Sequence, residues 1–176
     1  HRGRFAIVYY NGEYFGIHDL RERANEYYFE THYGMDPDAI DLVKAGNNVS
    51  AGSSLDYEAL MGWLETNHLD DEKNYDKVDS KIDIDNYISY MQTELYANNR
   101  DWPANNVKIW RGSNPKTKWK WFLYDLDFGM GNDYSEYTNN IFEFAAAENG
   151  EGWPNGPEHT LLFRRLLENE NFKTDD

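Results

Sequence analysis

The chain has 176 residues, with 17 Lys and Arg against 32 Asp and Glu (formal net charge −15), 40% hydrophobic and 16% aromatic residues, and no cysteine. That length suits one domain with a sizeable core; the apolar content excludes a disordered polymer, and the missing cysteines exclude disulfides, thiolate chemistry and Cys-ligated zinc. The acidic field repels nucleic-acid backbones and anionic membrane surfaces while favouring cations and basic partners, and no run approaches the roughly 20 apolar residues of a membrane span.

The first residues, His1 to Phe5, carry no apolar signal segment behind their charges, and they read as a cut, as does Lys173 to Asp176 at the other end. Phe5–Tyr10, Asn11-Gly12 and Glu13–Ile17 form the strongest hairpin signal, because Asn-Gly tolerates positive φ between two β-prone runs. A helix over Ala24–Tyr33 stops at Gly34. Asp36-Pro37 reads as a cap and first helical residue, opening a short helical piece that ends before Gly46. Ser53 starts the next helix, with Tyr57, Leu60, Met61 and Leu64 on one face. Asp70 to Lys81 reads as a solvated connector, and Asp83 caps a longer helix whose stripe is Ile84, Tyr87, Ile88, Met91 and Leu95, ending at Asn98-Asn99. Asn106–Trp110 and Trp119–Tyr124 are strands of a second hairpin, joined by turn chemistry from Gly112 to Thr117. Residues from Gly131 to about Pro157 read as one long irregular loop, and Thr160–Leu167 as a last amphipathic helix.

The chemistry concentrates around the second hairpin. Arg100-Asp101 is followed by Asn106 five residues after the aspartate, and the far strand delivers Asp125-Leu126-Asp127-Phe128-Gly129. Phosphoryl transfer by protein kinases uses this set in this order: an R-D aspartate that takes the proton of the attacking hydroxyl, an amide five residues on, and a D-F-G aspartate, the last two holding metal. Asp-Trp-Pro alone is an ordinary turn, and an acidic residue ending a strand is common; the joint spacing is what carries the reading. Asp101 is therefore the candidate catalytic base, and Asn106, Asp125 and Asp127 are the candidate ligands of Mg²⁺, a hard cation that prefers oxygen. Asp125, Asp127, Asp133 and Glu136 also fall at positions 1, 3, 9 and 12 of a calcium loop. Position 6 of that loop requires glycine and is Met130 here, and the segment follows a strand instead of a helix. Divalent binding by Asp125 and Asp127 is common to both readings.

The chain resembles the CotH kinase family, atypical protein kinases named for a spore-coat protein. Tyr10–Ile17 with Arg21-Glu22 is similar to that family's N-G-x-Y-x-G segment, and Ile82–Ile88 to its I-D helix start. Asp101–Asn106 and Asp125–Asp127 resemble its two active-site motifs, and Leu162–Phe172 its L-F-x-x-L-L ending. The resemblance implies a kinase-like fold, ATP with Mg²⁺ or Mn²⁺, and γ-phosphoryl transfer to Ser or Thr of a protein, which in spore-forming members is a coat protein. It places Glu22 near the nucleotide's adenine side. Kinases carry a lysine two residues after the catalytic aspartate; Pro103 stands there, and Lys108 is the nearest replacement.

The expectation is an α+β fold, mostly helical and like a kinase C-lobe, with an N-terminal β-hairpin and a second hairpin carrying the active-site loops. Residues 1–176 read as a single partial domain lacking upstream nucleotide-lobe strands and a C-terminal end, and so weakly active alone. The expected behaviour is that of a monomer acting on a Ser/Thr-bearing, basic protein, with no nucleic acid and no membrane span. The family and the acidic, cysteine-free composition lean towards a bacterial cell surface or extracellular residence. The rival is a non-catalytic surface module of the same fold binding metal, sugar or a basic protein.

Overall fold

The computed structural model describes residues 3–132, 138–148, 150 and 152–174. Strands β1 (Gly3–Tyr10) and β2 (Glu13–Arg21) pair antiparallel across Asn11 and Gly12, both at positive φ as a two-residue hairpin turn requires. Helix α1 (Glu26–Tyr33) opens on Asn25, whose side chain accepts from the Tyr28 N–H, and closes on Gly34 in the left-handed region. A 3₁₀ turn over Pro37–Ala39 leads into β3 (Ile40–Lys44), and β4 (Asn48–Ala51) returns beside it. Helices α2 (Leu55–Leu64), α3 (Glu72–Asp79) and α4 (Ile84–Ala97) follow. The chain continues through β5 (Lys108–Gly112), β6 (Lys120–Trp121), α5 (Ile141–Ala146), α6 (Leu161–Leu166) and α7 (Glu170–Thr174). The class is α+β, as expected.

Four local expectations need correcting. The piece after Asp36 is helical for one turn only, because Ile40, Leu42 and Val43 are buried in a sheet. The second hairpin is half of a larger sheet of order β4-β3-β5-β6. Asp70–Lys81 contains α3, which buries Tyr75 and Val78 three residues apart on one face. The long loop contains α5, capped by Asn140.

The four-stranded sheet is covered on both faces, which is why β3 is buried over Ile40–Val43. Ile40, Leu42 and Trp110 pack with Phe29 of α1 on one face. Val43 and Ile109 point the other way into the main core, with Leu60, Leu64, Tyr87, Met91, Trp119, Trp121 and Leu166. On that same face Asp41 lies directly opposite Arg111. The Arg111 guanidinium donates to Asp41 at 2.8 Å and to Asp56 of α2 at 2.7 Å, and stacks 4.4 Å from the Trp119 ring. Asp41 also accepts from the Ser53 N–H at 2.8 Å. One buried cation thus ties β3, β5 and α2 together, and the other Asp41 oxygen fixes the entry to α2.

Removing one partner of such a buried network leaves an uncompensated charge. Arg111→Leu is expected to cost about 3–5 kcal/mol in urea unfolding, whereas Lys116→Ala, which removes an exposed partner of Asp56, is expected to cost under about 1 kcal/mol. Hydrogen bonds from Lys116 and Arg111 hold the Asp56 carboxyl down at about 2. A depressed carboxyl stabilises fully above its unfolded value near 3.8 and loses that contribution as pH falls towards about 2. Wild type is therefore expected to lose stability through that acid window, and Asp56→Asn to flatten the loss.

Candidate active site

The site is assembled at the C-terminal end of α4. Asn98 takes the left-handed conformation that ends the helix and turns the chain into the Arg100-Asp101 loop. Trp102 is buried in the main core and pins that loop at its middle. Both oxygens of Asp101 are held by amides: Asn105 donates to one at 2.7 Å and Asn106 to the other at 3.0 Å. Asn106 sits at φ 58°, which asparagine tolerates better than most residues. Its backbone leads directly into Lys108, the first residue of β5.

After β6 the chain runs without regular pairing to Asp125, so the strand expected over Trp119–Tyr124 is only two residues long. Asp125 lies at φ 60°. Its backbone carbonyl accepts from Asn106 at 3.4 Å, which closes the gap between the two loops. The D-F-G segment then docks on the helix end. The Arg100 N–H donates to the Phe128 carbonyl at 3.3 Å, and the Met130 N–H to the Ala97 carbonyl at 2.6 Å.

Asp101, Asn106, Asp125 and Asp127 are thereby brought together. Burial, the neighbouring Asp127 carboxylate and its hydrogen bond, and Asp101 raise the Asp125 carboxyl, while Arg21 opposes the shift. The donors are all oxygen or amide, and a pair of carboxylates in mutual contact is relieved by either a proton or a cation. The chemistry fits a hard divalent ion held by two carboxylates, an amide and waters. Among the described residues no three or more His, Asp or Glu side chains form a metal-binding group by themselves. Asp133 and Glu136, the other calcium-loop positions, lie outside the described residues.

Lys108 stands beside this acidic group. Its ammonium lies 4.2 Å from the Tyr124 ring centre. Partial burial, Lys44 and Arg23 lower its pKa, and Asp125 pulls the other way. Lys44 and Lys108 are directly paired in the β3–β5 register. In a chain of charge −15, Lys108 thus feels two further cations, Lys44 and Arg23, as well as Asp125. Arg23 and Lys44 did not stand out in the sequence. Lys44 faces Lys108 only through a strand pairing that has no local signal. Glu22 is hydrogen-bonded to His32 of α1 at 3.0 Å and half-buried. Its side chain braces the end of β2 against α1.

Residues 1–175 match the family described as CotH kinase protein. No curated protein and no solved structure matches the chain. Among the described residues no helix is long and apolar enough to cross a membrane.

Gly129 is where this assembly has no spare room. A Cβ there would meet the Ala97 carbonyl oxygen at 2.7 Å and the Leu126 oxygen at 3.1 Å, both backbone. Gly129→Ala is expected to push the D-F-G loop off the helix end and to destabilise by about 1–3 kcal/mol. Amide hydrogen exchange is the check: protection should fall at Met130 and Arg100 while β3 is unchanged.

Proposed function

The chain belongs to the CotH kinase family, and on that premise we propose that it transfers the γ-phosphoryl group of ATP to a Ser or Thr hydroxyl of a protein. The observation that carries this reading is the closure of the Asp101 loop on the Asp125–Asp127 loop through Asn106, with Lys108 beside Asp125 and Lys44 opposite Lys108 in the sheet. A nucleotide triphosphate with a divalent cation presents the same alternation, phosphate oxygens against lysines and metal against carboxylates.

Asp101 accepts the proton of the attacking hydroxyl as that oxygen bonds to the γ-phosphorus and the bond to the β–γ bridging oxygen breaks, releasing ADP. The amides of Asn105 and Asn106 fix its carboxylate so that it cannot swing out of line. With its nitrogen committed to Asp101, Asn106 keeps its carbonyl oxygen for a cation. Asn106, Asp125 and Asp127 would hold Mg²⁺ or Mn²⁺, which when bound neutralises charge on the phosphates. Lys108 reaches the phosphates from the sheet, where other kinases use a lysine in the loop. A protein substrate with a basic segment suits the acidic surface.

Asp101→Ala is expected to lower the transfer rate by about 10²–10⁴-fold and leave Mg²⁺-dependent ATP binding in place, whereas Asp127→Ala should abolish that binding in calorimetry. ATP binding that persists in Asp127→Ala and needs no divalent ion would sink the reading. Like charges directly opposite on a sheet are destabilising by about 0.2–1 kcal/mol. Lys44→Ala is therefore expected to leave unfolding stability equal or higher while raising the KM for ATP. The two effects have opposite signs and are read in the same preparation.

A further inference from the structure

Helix α4 encloses a carboxylate that the chemistry above does not use. Glu94 is fully buried. Its Oε2 accepts from Asn99 Nδ2 at 2.9 Å, and the buried Tyr90 hydroxyl is its other polar neighbour. Burial pushes the carboxyl up to about 7, against the bonds from Asn99 and Tyr90. An apolar side chain of similar volume would fill this place without the desolvation that a carboxylate suffers. Packing alone does not account for a glutamate here.

Asn99, also fully buried, supplies the reason. Its Nδ2 reaches the Asp125 carbonyl at 3.4 Å as well as Glu94, and its Oδ1 accepts from the Asp101 N–H at 3.4 Å. It touches both loops of the site from the core side, while Asn106 links the same two loops from the outside. Each bond to a loop is long, so the orientation of the Asn99 amide decides whether either forms. Glu94 sets that orientation. A flipped amide would aim its oxygen at a carboxylate oxygen and its NH₂ at the Asp101 N–H, two repulsive contacts.

We propose that Glu94 and Asn99 form a buried brace that fixes the separation of Asp101 from Asp125 and Asp127. They are positioning residues for the cation and the acceptor hydroxyl. The inference rests on the reading of the site as a divalent-cation site, and goes further by assigning two core residues that do not touch the ligands.

The test uses Mn²⁺ alone as the probe, titrated into the full chain, with free ion counted by electron paramagnetic resonance and thermal melting recorded on the same samples. Glu94→Gln keeps an oxygen that accepts from Asn99 and is expected to bind Mn²⁺ like wild type. Glu94→Leu removes the acceptor, leaves the buried Asn99 amide short of a partner and is expected to melt lower, yet to be folded at the titration temperature and to bind Mn²⁺ about 10–100-fold more weakly. A merely structural glutamate would lower the melting temperature in Glu94→Leu without weakening Mn²⁺ binding by the folded protein. Glu94→Leu that is folded and binds Mn²⁺ like wild type overturns the brace. Should Glu94→Leu not fold, Asn99→Ala, which cuts the same link from the loop side, decides by the same comparison. Asp127→Ala distinguishes the levels of failure. If it abolishes Mn²⁺ binding while the brace variants bind normally, the brace alone is wrong; if it too binds normally, the metal reading of the site falls with it.

Discussion

Two backbone hydrogen bonds at the end of α4 hold the site together: Met130 to the Ala97 carbonyl, and Arg100 to the Phe128 carbonyl. A helix leaves its last carbonyls without intrahelical partners. Here the left-handed turn at Asn98 turns the chain away, and the Ala97 carbonyl is taken by a segment about thirty residues downstream. The same helix end launches the Asp101 loop. Both halves of the site are therefore referenced to one rigid element, and Gly129 is the residue that lets them approach. Without that docking, the loops of Asp101 and Asp127 would be linked through side-chain amides alone, Asn99 from the core and Asn106 from outside.

The sheet contributes the opposite charge. β3 and β5 pair so that Lys44 faces Lys108 at the edge nearest Asp125, and Asp41 faces Arg111 deeper in. The inner pair is of opposite charge; the outer pair is of like charge. A cross-strand pair of like charges runs against the stability of the sheet, and it stands where an anionic ligand with a bound cation would offset it. The stability given up there is small beside the buried Arg111 network, which holds the two strands in register from the core.

What was legible in the sequence follows from how local each signal is. Asn11-Gly12, Gly34 and Asp83 are decided within a few residues, and each turn or cap appears where it was expected. β3 was missed because Asp41 interrupts an otherwise apolar run, and the residue that neutralises it is Arg111, seventy positions on. α3 was missed because its buried face is only Tyr75 and Val78 among charges. At the site, the ligand candidates carry a motif, whereas Arg23, Lys44, Glu94 and Asn99 acquire their significance from tertiary neighbours. Glu94 shows the limit well. In sequence it is one polar residue in an amphipathic helix, and only the packing of α4 shows that it faces inward.

The departure at Pro103 has a structural counterpart. In protein kinases a lysine two residues after the catalytic aspartate serves only if that position is open towards the phosphates. Here Trp102, Pro103 and Ala104 are all buried, with Trp102 in the main core, so the segment after Asp101 is spent on anchoring the loop. An ammonium buried at that position would suffer desolvation. Lys108 arrives instead from the start of β5, half-buried, with its ammonium against the Tyr124 ring and its charge drawn towards Asp125. With the cation on the strand, the loop is left to its anchoring by Trp102, and two amides hold the Asp101 carboxylate.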